Sequence, residues 1–160
     1  MTETEFRMLC RNISNALGHA EPESLAEHGC IEVEGVDIAL FFDEQASADM
    51  LFCYVDMGPV PEAMRTEMYG QLLTMNLLSG AKTNGVYSLD PANGNAIFVV
   101  HFVHPESLDA VQMAEAFRIY ATQTNALRAM LAEDPGAAPG QSGAASPGKR
   151  ARGASHFDLA

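Results

Sequence analysis

Few side chains in this sequence of 160 residues have the types and spacing that site chemistry requires. The five histidines are scattered, and a strand would place the closest two, His101 and His104, on opposite faces. Their spacing therefore does not favour a metal site. Cys10, Cys30 and Cys53 are widely spaced and lie among apolar neighbours. This pattern is typical of reduced, buried thiols in a cytosol rather than of disulfides or zinc ligands.

Sequence motifs of common enzymes are also missing. The sequence contains no P-loop, no G-x-G-x-x-G motif and no G-x-S-x-G nucleophile elbow. The segment DPANGN (90–95) offers oxygen ligands but lacks the length and closing Glu of a calcium loop, so it predicts a turn. We therefore predict a binding protein without catalytic activity, cofactor or metal. An enzyme with an unrecognised site at Cys53 or His101 remains the alternative.

The net charge of −12 and the pI of about 4.6 bear on the class of partner. An acidic surface repels phosphate backbones and anionic lipids, so neither nucleic acid nor a membrane surface is an expected partner. The sequence has no apolar run of about 18 residues, and its first 17 residues do not resemble a signal peptide. We therefore expect a cytoplasmic protein that does not insert into membranes.

Composition divides the chain after residue 134. Residues 1–134 have the composition of a folded domain, whereas residues 135–160 are mostly Gly, Ala, Ser and Pro and end in a short apolar cluster. We predict that residues 135–160 form a flexible tail. The tail has three basic residues and one acidic residue, so its charge is +2 and that of the domain is −14. Its KRAR segment (149–152) is too short to predict nucleic-acid binding.

The first predicted element is an amphipathic helix. Its apolar positions recur at helical spacing: Phe6, Leu9, Cys10, Ile13, Ala16 and Leu17. Thr2 and Glu5 have the spacing of a capping box, and Gly18 is placed to end the helix. The polar segments HAEPESLAEHG (19–29) and DEQASAD (43–49) are predicted to be loops.

Five runs of residues predict strands: CIEVE (30–34), VDIALFF (36–42), MLFCYVDM (50–57), GVYSLD (85–90) and AIFVVHFV (96–103). The second run places Val36, Ile38, Leu40 and Phe42 on one face. The third run is apolar on both faces, which predicts a central strand or a second covered face. The Asn-Gly pair between the last two runs predicts a hairpin.

A second helix precedes the hairpin, and a third, predicted from Ser107 to Leu131, follows it. Ser107 is a suitable N-cap for this third helix. Its expected buried stripe is Met113, Phe117, Tyr120, Thr124, Leu127 and Leu131. The predicted order is therefore α-β-β-β-α-β-β-α. Because the strands come in hairpin-joined groups, we predict an α+β domain with a twisted antiparallel sheet.

The second helix has apolar residues on two stripes. One contains Met64, Met68, Leu72 and Met75, and the other contains Tyr69, Leu73 and Leu77. Together they cover about twice the arc that packing on one sheet requires. Two explanations are open: the helix is sandwiched between the sheet and the last helix of a monomer, or one stripe binds a second protein chain.

The segment LLTMNLLSGAKTNGVYSLDPANGNAIFVVHF (72–102) carries a resemblance to a known family. It combines a Leu-rich helix reading LLxxNLL, a Gly-containing loop, an SLDPxNG hairpin and an apolar strand. In this order and spacing it resembles the class I type III secretion chaperones of the Tir-chaperone family, and the resemblance covers most of residues 3–132. The tail lies outside it.

The resemblance implies a bacterial cytoplasmic homodimer that binds the N-terminal chaperone-binding region of one or more effectors in extended form. Such a chaperone keeps effectors soluble and competent for secretion, uses no nucleotide, and depends on a separate secretion ATPase for delivery. The implied groove is lined by Phe6, Leu9, Ile13, Ile38, Leu40, Leu51 and Cys53. The implied dimer interface contains Met64, Met68, Leu72 and Met75. The alternative is a dimeric regulatory domain of similar fold that binds a folded protein partner or a small ligand.

Overall fold

The computed structural model describes residues 1–79 and 85–132, and at positions 79, 131 and 132 it describes the backbone alone. The main elements are α1 (Glu3–Leu17), α2 (Ser24–His28), β1 (Cys30–Val33), β2 (Val36–Phe42), α3 (Glu44–Ser47), β3 (Met50–Pro59), α4 (Arg65–Ser79), β4 (Gly85–Leu89), β5 (Asn95–Val103) and α5 (Ala110–Ala132). Short 3-10 turns at Glu62–Met64 and Pro105–Ser107 precede α4 and α5. The predicted tail and the domain boundary at Asp134 lie outside the described residues.

The long elements follow the predicted α-β-β-β-α-β-β-α order, so the α+β prediction is confirmed. The two segments predicted as loops each contain a short helix, α2 and α3. Asp43 begins α3 because its Oδ1 accepts hydrogen bonds from the N–H groups of Gln45 and Ala46, both at 2.9 Å. In α2, Leu25 is fully buried and anchors the helix to the core. Because both segments are polar, their composition gives no sign of these short helices.

All five strands form one antiparallel sheet in the order β1-β2-β3-β5-β4. The turn between β1 and β2 uses Glu34 and Gly35, with φ values of 51° and 77°. Positive φ at both turn residues is what a tight two-residue hairpin needs. The Asn-Gly hairpin prediction is confirmed between β4 and β5, where Gly94 has φ 77°. β3 lies in the middle of the sheet, as its apolar composition predicted.

Helices α1 and α5 cover one side of the sheet and pack against each other. The Thr2–Glu5 capping box is present at the start of α1, and Gly18 ends the helix in the left-handed conformation. Arg118 Nη2 donates a 2.8 Å hydrogen bond to the carbonyl oxygen of Ala16, which joins α5 to the end of α1. The core under these two helices holds Phe117, Ile13 and the inward residues of β1, β2 and β3.

The start of α5 differs from the prediction. Ser107 belongs to the preceding 3-10 turn, where its Oγ donates to the carbonyl oxygen of His104 at 2.8 Å. Asp109 caps the helix instead, because its Oδ1 accepts a 2.9 Å hydrogen bond from the N–H of Gln112. The predicted buried stripe is otherwise found: Met113, Phe117 and Thr124 are buried, and Tyr120 and Leu127 are half-buried. The Leu131 side chain lies outside the described residues.

Candidate functional site

The seven residues implied to line a groove are inside the main core: Phe6, Leu9, Ile13, Ile38, Leu40, Leu51 and Cys53. None is more than 9% exposed. Ile38 and Leu40 share the β2 face that α1 and α5 cover, since side chains alternate along a strand. In this structure these residues therefore offer no surface to a bound segment, contrary to what the resemblance implied.

The other side of the sheet, here called the open face, carries none of the core-forming helices. The register arranges its side chains in rows across the strands. Two apolar rows lie next to each other, the first with Phe41, Phe52 and His101 and the second with Ala39, Tyr54, Val99 and Val86. Phe41 is 54% exposed, and Tyr54 and Val86 are also exposed.

Ring contacts organise the centre of the open face. Phe52 stacks on Tyr54 with ring centroids 6.4 Å apart. The ring centroids of Phe52 and His101 are 6.0 Å apart. Such contacts hold large side chains in one arrangement before any ligand binds. A pre-arranged aromatic surface loses little side-chain entropy when it is covered, which favours binding.

A third row on the open face is acidic. Glu32 on β1 lies directly opposite Asp37 on β2, and Asp56 continues this acidic row on β3. Like charges in directly opposed positions destabilise a sheet. Asn95 Nδ2 donates to both Asp56 oxygens at 3.0 and 2.8 Å, and the Gly58 N–H donates at 2.7 Å. Among the described residues, no Lys or Arg forms an ion pair with Glu32, Asp37 or Asp56.

The β1 edge of the sheet is available for backbone pairing. The hairpin register bonds Ile31 and Val33 to β2, so the N–H and C=O groups of Cys30 and Glu32 point outward. Within the described ranges, these outward groups have no hydrogen-bond partner. The β4 edge differs, because the Asn76 side chain of α4 donates to the Tyr87 carbonyl at 2.9 Å and accepts from its N–H at 2.7 Å. β1 is thus the edge more suited to an added strand.

Helix α4 has two apolar stripes, but their roles are opposite to those expected. Met68 and Leu72 are only 3% and 5% exposed and pack with Val60, Ala96 and their neighbours in a second, smaller core. Met64 packs against the edge of the same core, and Met75 is 37% exposed. Unbranched Met side chains fill the irregular space between helix and sheet. The implied interface residues therefore mostly stabilise the monomer.

The second stripe of α4 is the exposed one. Leu73 and Leu77 are 70% and 83% exposed, and the adjacent Leu78 is 70% exposed. Three exposed leucines on one helix form an apolar patch of the kind that marks a protein interface. The sandwich explanation for α4 does not hold for the described residues, because these leucines are left uncovered.

A cavity of about 290 Å³ lies between α4 and α5 on the helical side of the sheet. Its lining is mainly aromatic and aliphatic: Met57, Met75, Tyr87, Phe98, Tyr120, Gln123, Thr124 and Leu127. Burial raises the pKa of Tyr87 and of Tyr120. Both phenols are thus neutral at physiological pH. The cavity could hold a small apolar molecule, but it contains no charged group to activate one.

The candidate chemical residues show no catalytic arrangement in the described part of the chain. Burial raises the pKa of the Cys10 and Cys53 thiols to about 12, so neither is a ready nucleophile. Cys30 is exposed, which corrects the expectation that all three thiols are buried. The His101 Nδ1 atom is buried without a hydrogen-bond partner among the described residues. Across residues 1–79 and 85–132, no group of three metal-ligating side chains comes together.

The sequence indicated the open face only in part, because a second covered face was one of two explanations for the apolar β3 run. Phe41 is an apolar residue at an outward position of β2, and Phe52 and Tyr54 occupy outward positions of β3. Large apolar residues on both faces of two adjacent strands indicated a second surface to be covered. The sequence also places Glu32 and Asp37 on either side of a turn, a position typical of charged residues in contact with solvent.

Comparison with known proteins finds similar structures but no similar sequence. No family model matches the sequence, and no curated protein matches it. A chain in the crystal structure of the ExsC-ExsE complex matches with a TM-score of 0.60 and 16% identity, over 84% of this chain and 97% of that one. A chain in the HopA1-SchA chaperone-effector complex matches with a TM-score of 0.57 and 15% identity, over 79% and 95%.

This chain has the fold of a protein in a chaperone-effector complex. At 15 and 16% identity, the likeness establishes the architecture and leaves the activity open. In the described residues, no helix has the length and apolar character to cross a membrane.

Proposed function

We propose that this protein is a bacterial cytoplasmic type III secretion chaperone, which binds the N-terminal region of one or more effectors in extended form. The observation that carries the proposal is the open face, where two apolar rows adjoin the unpaired β1 edge. The matched fold of the HopA1-SchA chaperone-effector complex and the LLxxNLL and SLDPxNG patterns support it.

The binding mode we propose is strand addition at β1. The outward N–H and C=O groups of Cys30 and Glu32 pair with the backbone of the effector segment. Backbone pairing gives affinity with little dependence on sequence, so several effectors can use the same edge. The segment then continues across the open face, where its apolar side chains contact Phe41, Phe52 and Tyr54. We thus place the groove on this face rather than on the seven core residues.

The acidic row selects among such segments. Glu32, Asp37 and Asp56 favour a segment that has Lys or Arg beside its apolar residues. Because Glu32 and Asp37 are exposed to solvent, the contribution of the row falls as ionic strength rises. The domain charge of −14 keeps the protein soluble while its apolar surfaces are unoccupied.

We also propose that the chain forms a homodimer through the leucine patch of Leu73, Leu77 and Leu78. Two copies double the number of open faces available to one long effector segment, which raises the overall affinity. Transfer to the secretion apparatus then involves a secretion ATPase as a further partner, and the chaperone itself uses no nucleotide.

Co-expression provides the test. The tagged chain is expressed with each protein encoded beside its gene, and bound proteins are trimmed by limited proteolysis. We expect one partner to copurify and to retain an N-terminal segment that is protected while bound. Failure of every neighbour to copurify through such a segment contradicts the proposal.

A matched pair of variants then locates the site. Phe41→Ala removes an exposed aromatic ring from the open face, and we expect it to weaken binding of the recovered segment about 10-fold or more. Met8→Ala removes an equally exposed side chain from α1, at 55% against 54% exposure, and should leave the affinity unchanged. If Met8→Ala has the larger effect, the segment binds along α1, as the resemblance implied.

The alternative function is a dimeric regulatory domain that binds a folded partner or a small ligand. The cavity between α4 and α5 is the observation that favours it. A regulatory domain of this kind would bind an intact folded protein or a small molecule and show no preference for extended peptides. Thermal-shift measurements with recovered segments and with folded neighbours therefore separate the two functions.

A further inference from the structure

The last twelve residues of the chain, KRARGASHFDLA (149–160), combine two kinds of side chain. Lys149, Arg150 and Arg152 form a basic cluster, and Phe157 and Leu159 are the apolar residues at the end. The chain before this segment has neither basic nor large apolar residues from 135 to 148. The segment therefore stands out from the rest of the tail.

The open face has surfaces complementary to both kinds of side chain, namely an acidic row and two apolar rows. Its acidic row lies one row from Tyr54 and Val99 and two rows from Phe41 and Phe52. Successive rows on one face are about 6.7 Å apart, so the acidic row and the furthest apolar row are about 13 Å apart. Arg152 and Phe157 are five positions apart, and an extended chain spans at most about 17 Å over that distance. One segment can therefore contact both kinds of row at once.

The end of α5 lies close to the acidic row. Arg128 Nη2 donates to the Asp56 carbonyl at 2.9 Å, Nε donates to the Met57 carbonyl at 3.0 Å, and Nη1 donates to the Gly35 carbonyl at 2.9 Å. These three bonds hold the last turns of α5 against the end of the sheet that carries the acidic row. The described part of α5 ends at Ala132.

The length of the intervening chain is sufficient. Residues 133–148 can span up to about 55 Å when extended, and a Gly-rich chain of that length has a root-mean-square span of about 20–24 Å. A chain of that length can pass around one end of a single sheet to the open face. A tether of this length gives its end an effective concentration of about millimolar, so even weak intrinsic affinity produces substantial occupancy.

We propose that residues 149–160 dock on the open face of their own chain. Lys149, Arg150 and Arg152 contact the acidic row, while Phe157 and Leu159 cover the apolar rows. The net charges of +2 and −14 favour this contact. The docked segment shields the face from unrelated proteins. As a consequence that rests on the proposed function, an effector segment must displace it.

A single fluorescent reporter tests the docking in the full-length chain. The sequence contains no Trp, so Phe157→Trp introduces the only indole. We expect acrylamide to quench this indole about half as strongly as it quenches a free peptide of residues 149–160 with the same substitution. Raising the ionic strength should increase quenching, because the charge contacts are exposed to salt.

Two matched pairs of second substitutions locate the contact. Phe41→Ala should raise quenching to the free-peptide value, whereas Met8→Ala, with similar exposure on α1, should not. Asp37→Lys should likewise release the segment, whereas Glu27→Lys on α2 changes the charge equally and should leave the indole protected. Circular dichroism confirms that each variant is folded before quenching is compared.

Three results overturn the proposal. The first is an indole as accessible in the full chain as in the free peptide. The second is equal quenching in the Phe41→Ala and Met8→Ala variants. The third is protection that disappears on dilution, which would mean that the segment sits on a second copy. None of these results depends on an effector, so docking can fail while effector binding stands.

Discussion

The two faces of the sheet differ most clearly at Phe41 and Phe42. These adjacent residues of β2 have the same side chain, but Phe42 is 8% exposed and Phe41 is 54% exposed. Phe42 packs against the Phe6 ring at a centroid distance of 5.4 Å inside the main core. Phe41 lies on the open face beside Phe52. One face thus stabilises the monomer, and the other leaves apolar surface exposed.

The same contrast is found on α4. Met68 and Leu72 close the smaller core, while Leu73 and Leu77 remain exposed. In both places an element carries more apolar surface than the monomer covers. A chain that only had to fold would have polar residues at these outward positions, because exposed apolar surface promotes aggregation. This excess is the apolar surface that the proposed effector binding and dimerisation would use.

The largest effect is expected for Phe42→Ala. Removal of this ring leaves a cavity in the main core and should lower the free energy of unfolding by about 3–5 kcal/mol. Phe41→Ala should lower it by less than about 1 kcal/mol, since the lost surface is already half in contact with water. Urea unfolding followed by circular dichroism measures both values. Equal losses at the two positions would contradict the assignment of the two faces.

The next largest effects are expected for substitutions on α4. Leu72→Ala should lower the free energy of unfolding by about 2–3 kcal/mol, because Leu72 is buried in the smaller core. Leu73→Glu together with Leu77→Glu should leave the monomer folded but abolish self-association. Light scattering is then expected to change from about twice the chain mass of 17.2 kDa to that mass itself. A folded dimer in the double variant excludes the leucine patch as its interface.

Alkaline pH should destabilise the protein through its buried thiols. Burial raises the pKa of Cys53 from 9.0 to about 12. Above pH 9 the unfolded chain releases this proton while the folded chain retains it, so stability is lost as pH rises from 9 towards 12. The loss is at most about 1.4 kcal/mol per pH unit for one thiol. Cys53→Ala should reduce the slope of unfolding free energy against pH, whereas Cys30→Ala, at an exposed position, should not.

The smallest effect concerns the acidic row. Asp37→Asn removes a negative charge that lies directly opposite Glu32. The relief of this repulsion should raise the free energy of unfolding by about 0.5 kcal/mol. The same substitution should weaken the binding of basic segments at low ionic strength. A loss of stability instead would show that the Asp37 carboxylate has a favourable partner in the folded chain.

Much of the fold could be predicted because local signals agreed with one another. The Thr2–Glu5 capping box, the Gly18 stop and the Asn-Gly hairpin each depend on a few neighbouring residues. The start of α5 was harder to predict, since Ser107 and Asp109 are both suitable N-caps. Only the 3-10 turn after His104 distinguishes them. Local signals therefore identified the elements but not every boundary.

The candidate site could be predicted only in part. A helical wheel finds two stripes on α4, but it cannot tell which one faces the sheet. That choice depends on how Met68 fills the space beside Val60 and Ala96. Likewise, the strand pattern separates the two faces of β2 and β3 without showing which face the helices cover. Long-range packing decides both questions.

Hydrogen exchange at the β1 edge tests the central claim most directly. The amides of Cys30 and Glu32 point outward from the sheet and should exchange rapidly in the free chain. In the complex with a copurified effector segment, strand addition should slow their exchange by about tenfold or more, with little change at Ile31. If the segment is bound and both amides still exchange at the free rate, the segment is not held by strand addition at β1.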